Sequence, residues 1–146
     1  MVTPSRREMK KFNLAVLASG SGSNLQAIIY AIKKKKLKVN LKIVISNNSN
    51  AFALERARKN NIKAFHLSQK QFASQKEFDK KLISILKKEK IDLIALAGYM
   101  KKLSSTVIKA FRNKIINIHP ALLPHFGGEG MYGIYVHEAV IKSGAK

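Results

Sequence analysis

The chain has 146 residues, a formal net charge of +20 and no cysteine. That length suits one domain with an ordinary core, and the lack of cysteine excludes a disulfide framework or a thiolate metal site. No apolar run approaches the ~20 residues of a membrane span, and the polar, basic leader over residues 1–11 has no signal-like apolar stretch; a cytoplasmic protein is expected.

After the leader, Asn13-Leu-Ala-Val-Leu-Ala-Ser19 is an apolar run that stops at Gly20-Ser-Gly-Ser23, the pattern of a buried strand entering a turn. Leu25, Ile28, Ile29 and Ile32 recur at helical spacing and predict a helix over 24–36, with Ser23 or Asn24 as its N-cap. Residues 41–46 read as a second strand, 51–59 as a helix and 64–67 as a third strand. Residues 75–88 are amphipathic, with Phe78, Leu82, Ile85 and Leu86 on the inward face. A strand over 91–97, a helix over 104–111 and a strand over 115–119 follow; beyond Pro120 the chain is loop-rich until a short helix expected over 135–142. Strands alternating with helices predict an α/β fold, a Rossmann-like, open, mostly parallel sheet with right-handed crossovers and helices on both faces.

The charge raises the possibility of a nucleic-acid partner. Only five of the 28 basic residues are arginine (Arg6, Arg7, Arg56, Arg58, Arg112), and the lysines fall mainly on helix surfaces, at 33–36, 80–81, 87–88 and 101–102. Arginine's planar fork, not lysine, usually reads phosphates and bases, so no specific nucleic acid is expected. The field would still draw phosphorylated small molecules.

In sheets of this kind ligands sit beyond the carboxyl ends of the strands. Three such ends carry suggestive residues: Gly20 to Asn24, Gly98-Tyr-Met100 and Asn117-Ile-His119. Gly22, Ser23 and Asn24 open a helix whose free N–H groups and dipole favour a phosphate. The loop is neither a dinucleotide fingerprint, since Leu25 stands where the third glycine belongs, nor a P-loop. A tight, capped βα turn is the plainer alternative. Gly98-Tyr-Met100 suits the wall of an apolar pocket, or ordinary packing. Asn117 and His119 face one side of an extended strand, and Pro120 holds His119 in that extended geometry. An amide that stabilises an oxyanion beside an imidazole that moves a proton is what acyl chemistry needs; a buried strand end with a satisfied histidine is the alternative. The glycine-dense stretch Phe126 to Gly133 reads as a mobile active-site loop or a plain surface loop, while His66, His125 and His137 lack metal-site spacing.

Taken together, the runs Ala18-Ser-Gly-Ser-Gly-Ser-Asn-Leu-Gln-Ala27, Val44-Ile-Ser-Asn47, Leu54-Glu-Arg-Ala57, Leu96-Ala-Gly-Tyr-Met100 and Asn117-Ile-His-Pro-Ala-Leu-Leu-Pro124 closely resemble the phosphoribosylglycinamide formyltransferase family. The resemblance covers nearly the whole chain from Phe12 onward. It implies folate-dependent formyl transfer in de novo purine biosynthesis, from 10-formyltetrahydrofolate to the amine of phosphoribosylglycinamide. It also implies roles for named residues. Gly22, Ser23 and Asn24 would cradle the substrate phosphate. Met100, Lys101, Lys102 and Leu103 would line the folate site, with Asn117 and the Gln75 position beside it. Asn117 would bind the formyl oxygen, and His119 would donate a proton and stabilise the tetrahedral intermediate, with no metal required.

Some positions depart from the family pattern. Gln75 stands where a folate-side arginine is usual, Lys101 replaces another arginine, and Tyr135 occupies a position that is often histidine. The family's catalytic aspartate lies further along, yet no Asp follows Asp92, and Glu129 and Glu138 stand in other contexts. Residues 12–146 are therefore expected to be a catalytic domain incomplete at its C-terminus, with an exposed sheet edge. Proton transfer by His119 is then expected to suffer by roughly 10²–10⁴-fold. Two further readings stand beside this one: a formyltetrahydrofolate deformylase-like enzyme, and a catalytically dead basic binding protein built on the same fold.

Overall fold

The computed structural model describes residues 11–118. Most of the basic leader, His119, the 126–133 loop, the helix expected over 135–142 and the expectations about an incomplete C-terminus lie outside the described residues. Within them the elements alternate as expected: β1 (Phe12–Leu17), α1 (Ser23–Lys33), β2 (Val39–Ser46), α2 (Phe52–Lys59), β3 (Lys63–His66), a 3₁₀ turn (Gln69–Gln71), α3 (Gln75–Lys88), β4 (Leu93–Ala97), α4 (Ser105–Ala110) and β5 (Ile115–Ile118). The five strands form one sheet in the order β3-β2-β1-β4-β5, and every neighbouring pair is parallel.

Alternation along the strands splits the core into two layers. Leu14 and Val16 on β1, with Leu93 and Ala95 on β4, face α1 and α2 through Leu25, Ile28, Leu54 and Ala57. Ala15 and Leu17 on β1, with Ile94 on β4, face α3 and α4 through Phe78, Leu82, Leu86 and Val107. Helices therefore cover both faces, the arrangement that lets central parallel strands be apolar throughout.

The second strand begins earlier than its sequence pattern suggests, at Val39, and contains a bulge. Leu14 pairs with Leu41 but Ala15 pairs with Ile43, so Lys42 is skipped and stays exposed. The extra residue reverses side-chain parity. Val39 and Val44 thus share the α1/α2 layer while Ile43 and Ile45 enter the other. Without the bulge, simple alternation would carry all the odd-numbered residues of this strand to one face.

One buried charge ties the second layer together. Asp79 on α3 is 4% exposed, and its two carboxylate oxygens accept hydrogen bonds from Gln75 Nε2 and Ser104 Oγ, each at 2.7 Å. Ser104 also caps α4, accepting from the Val107 N–H, so a single carboxylate positions the start of that helix. Asp79→Ala strands the Ser104 hydroxyl and is expected to cost about 2 kcal/mol, measurable as a lowered midpoint in urea. Asp79→Asn, which keeps an acceptor, is expected to cost less.

Candidate active site

The strand order reverses between β1 and β4: α1 and α2 lie on one face, α3 and α4 on the other. This is the switch point at which open α/β sheets leave a crevice for ligands. The loop after β1 and the loop after β4 border it, and both are sequence-predicted site segments.

The loop after β1 enters α1 through Gly22, whose φ of 78° is left-handed and which serves as the N-cap without any side-chain cap bond. The expected Ser23 or Asn24 cap is therefore corrected: Ser23 is the first helical residue and Asn24 is buried. A chain that must turn at once from a buried strand into a helix uses the one residue free to adopt that φ. The loop is fixed from the side of α2, because the Ala53 N–H donates to the Gly20 carbonyl at 3.1 Å. Arg56 Nε donates to the Ser21 carbonyl at 2.8 Å. The first-turn N–H groups of α1 are thus presented on a held backbone, with no side chain of this helix capping them.

The loop after β4 turns at Gly98, with φ 74°. It then borders a cavity of about 440 Å³ whose apolar wall is Leu96, Tyr99, Leu103, Ile108 and Phe111. Met100, Lys101, Lys102, Arg112 and Asn117 are among the residues at its rim. Asn117 is exposed on β5 and sits in register with Leu96. Five residues expected near the folate, Met100, Lys101, Lys102, Leu103 and Asn117, converge here. Gln75 does not: it is exposed and donates to Asp79. Burial pushes the Tyr99 phenol above its ordinary value of 10.0, so it faces the cavity uncharged at neutral pH. A second cavity, of about 630 Å³, adjoins the first through Tyr99 and Lys101 and is lined by polar residues that include Asn47, His66 and Ser68. No cluster of metal-ligating side chains occurs among the described residues, and no helix there is long and apolar enough to cross a membrane.

Two features escaped the sequence reading. Asp79 carries no motif; only a lone acidic residue on the apolar stripe of 75–88 signals it. The Ser19 hydroxyl is the other: it donates to Asn47 Oδ1 at 2.5 Å and accepts from the Met100 N–H at 2.8 Å. Both bonds link strand ends far apart in sequence, which no local pattern encodes.

The formyl transferase family profile matches residues 12–146. A chloroplastic phosphoribosylglycinamide formyltransferase of Arabidopsis thaliana is 37% identical over 99% of this chain and 50% of its own length. The Escherichia coli phosphoribosylglycinamide formyltransferase is 39% identical over 90% of this chain and 60% of its own. The chain spans about half to three fifths of the length of these relatives. Among solved structures, glycinamide ribonucleotide transformylase 1 of Geobacillus kaustophilus superposes with a TM-score of 0.73 at 40% identity, covering 86% of this chain and 68% of that one. A formyltetrahydrofolate deformylase of Pseudomonas putida, at 22% identity and a TM-score of 0.67, shares the fold. With its parallel sheet, its switch-point crevice and a profile match over nearly its whole length, the chain belongs to the formyl transferase family.

Proposed function

We propose that this chain carries out, or supplies the substrate-binding part of, formyl transfer from 10-formyltetrahydrofolate to the amine of phosphoribosylglycinamide. The observation that carries this reading is the meeting of two unlike sites at one switch point. One is a held helix start suited to a phosphate. The other is an apolar cavity with a cationic rim, suited to a flat ring system bearing an acidic tail. The cavity's apolar wall and its lysines at 101 and 102 fit a folate by that chemistry.

The folate supplies the formyl unit, and the remaining work falls to the chain. The N–H groups at Gly22, Ser23 and Asn24 hold the phosphate and so fix the ribose and its glycinamide arm. Asn117, on the cavity rim, donates to the formyl oxygen where negative charge develops as the amine attacks. As the bond from the formyl carbon to the folate nitrogen breaks, His119, two residues on, serves the proton transfer in which the attacking amine loses a proton and the leaving nitrogen gains one. Apolar walls exclude water, which would otherwise compete with the amine for the formyl carbon.

The test is transfer of the formyl group to glycinamide ribonucleotide by the purified chain, with His119→Ala as the control. Transfer abolished by the substitution supports the assignment; hydrolysis of the donor without acceptor dependence would point to a deformylase instead. Salt-sensitive binding to nucleic acid with no folate affinity would replace both readings. The rim lysine gives a second handle. Lys101→Met is expected to weaken folate binding by about 2–5-fold at moderate ionic strength, a difference that closes in concentrated salt. Equal loss at both salt levels would mean that Lys101 packs rather than pairs.

A further inference from the structure

One side chain joins the two halves of the crevice. Ser19 is 8% exposed and lies two residues beyond the end of β1, heading the loop that leads to Gly22. Its N–H donates to the Gly98 carbonyl at 3.1 Å, and its hydroxyl donates to Asn47 Oδ1 and accepts from the Met100 N–H. Met100 is 79% exposed, so the backbone at this point of the loop after β4 is held through its amide and not through packing. The loop after β1 is gripped from the far side by Ala53 and Arg56, which donate to the Gly20 and Ser21 carbonyls. Ordering at the start of α1 therefore has a direct covalent and hydrogen-bonded route to the rim of the 440 Å³ cavity.

We propose that Ser19 is a positioning residue that couples the two sites, so that an anion held at the start of α1 tightens folate binding in the adjoining cavity. The proposal rests on the functional reading above. An anion on the first-turn N–H groups restricts residues 20–24. Ser19 passes that restriction to Met100 and Asn47, and a folate then meets a loop already ordered, which gives positive coupling without any large movement. Removing the hydroxyl leaves both sites present but breaks the route between them. Asn47, the other partner of that hydroxyl, is predicted to act in the same unit.

The experiment titrates 5-formyltetrahydrofolate, a stable folate, into the full chain by calorimetry. One titration contains inorganic phosphate and the other chloride at matched ionic strength. The unsubstituted chain is expected to bind the folate about five-fold more tightly with phosphate. Ser19→Ala is expected to bind each ligand still, with that ratio falling below about two-fold. Hydrogen exchange at the Met100 amide should rise by on the order of ten-fold while the Val16 and Ile45 amides stay protected. Asn47→Ala is expected to lose the same coupling, and the double variant to lose no more, as for residues in one unit. Asn47→Ala carries the test by itself if Ser19→Ala does not fold. An unchanged ratio in the variants, or no phosphate effect in the unsubstituted chain, overturns the proposal. Failure of the unsubstituted chain to bind either ligand overturns the functional reading and this coupling with it. A merely structural Ser19 would lower the melting temperature and leave the ratio where it was.

Discussion

Gly22→Ala is expected to lower the melting temperature by roughly 10–15 °C, while Gly20→Ala, two residues earlier in the same loop, shifts it by no more than about 3 °C. The difference comes from what a Cβ would meet. At Gly22 it would lie 2.7 Å from Ala53 Cα, 2.9 Å from Ala53 Cβ and 3.2 Å from Arg56 Cδ. The nearest of these is backbone, which cannot swing aside. The left-handed φ of 78° adds its own cost for any residue with a side chain. Together they come to about 2–5 kcal/mol, from the strain of the left-handed region and the overpacking of a closed contact. A Cβ at Gly20 meets nothing within 4 Å. Gly98 falls between the two, since its φ is 74° but the space around it is open. Thermal melts of the three alanine variants should thus rank Gly20, Gly98, Gly22 in order of increasing damage. A Gly22→Ala variant as stable as the unsubstituted chain, yet weakened in phosphate binding, would mean that this glycine serves only the ligand's approach. The structure gives it a second duty: it is where Ala53 and Arg56 of α2 pack against the start of α1.

That double role explains which parts of the molecule were legible in the sequence. Residues 75–88 were readable to the residue, because four apolar side chains at helical spacing sit between a Ser74 cap and a lysine-rich last turn. The strands were readable in number and in their succession along the chain, though not in their order across the sheet. Their ends were not: β2 hides a bulge at Lys42, and β4 starts only at Leu93, after Asp92 has turned its carboxylate to accept from the Asn13 N–H at 2.8 Å. The cap of α1 was misplaced because Ser and Asn are the usual caps, whereas the crowding against Ala53 demands glycine. At the crevice, one cavity gathers five of the six residues that the family resemblance sets beside the folate. Ser19 ties two strand ends and Asp79 ties α3 to the start of α4, through bonds between residues 81 and 25 positions apart. Such links follow from the topology, not from spacing, and only the folded chain reveals them.

Asn117→Ala is expected to cut formyl transfer by about 10²–10³-fold, the usual loss when one oxyanion donor is removed. Stability should change by no more than about 0.5 kcal/mol, because the side chain is exposed at the cavity rim. The amide can play this part because strand parity sets it beside Leu96, across from α4, with its backbone fixed by the pairing of β4 and β5. In the proposed role, an amide held by strand pairing needs little reorganisation when charge develops on the formyl oxygen, and that preorganisation would be the source of its effect. The loss should therefore fall on kcat, with the KM for the folate donor changing only a few-fold. Asn117→Asp should do worse than alanine, since it is nearly the same size but sets a negative charge against a developing one. Steady-state kinetics and a thermal melt on the two variants test this together. Retained kcat in the alanine variant would remove Asn117 from the chemistry and leave it as a wall of the cavity. A drop in kcat matched by a drop in melting temperature would instead make it a structural residue of β5.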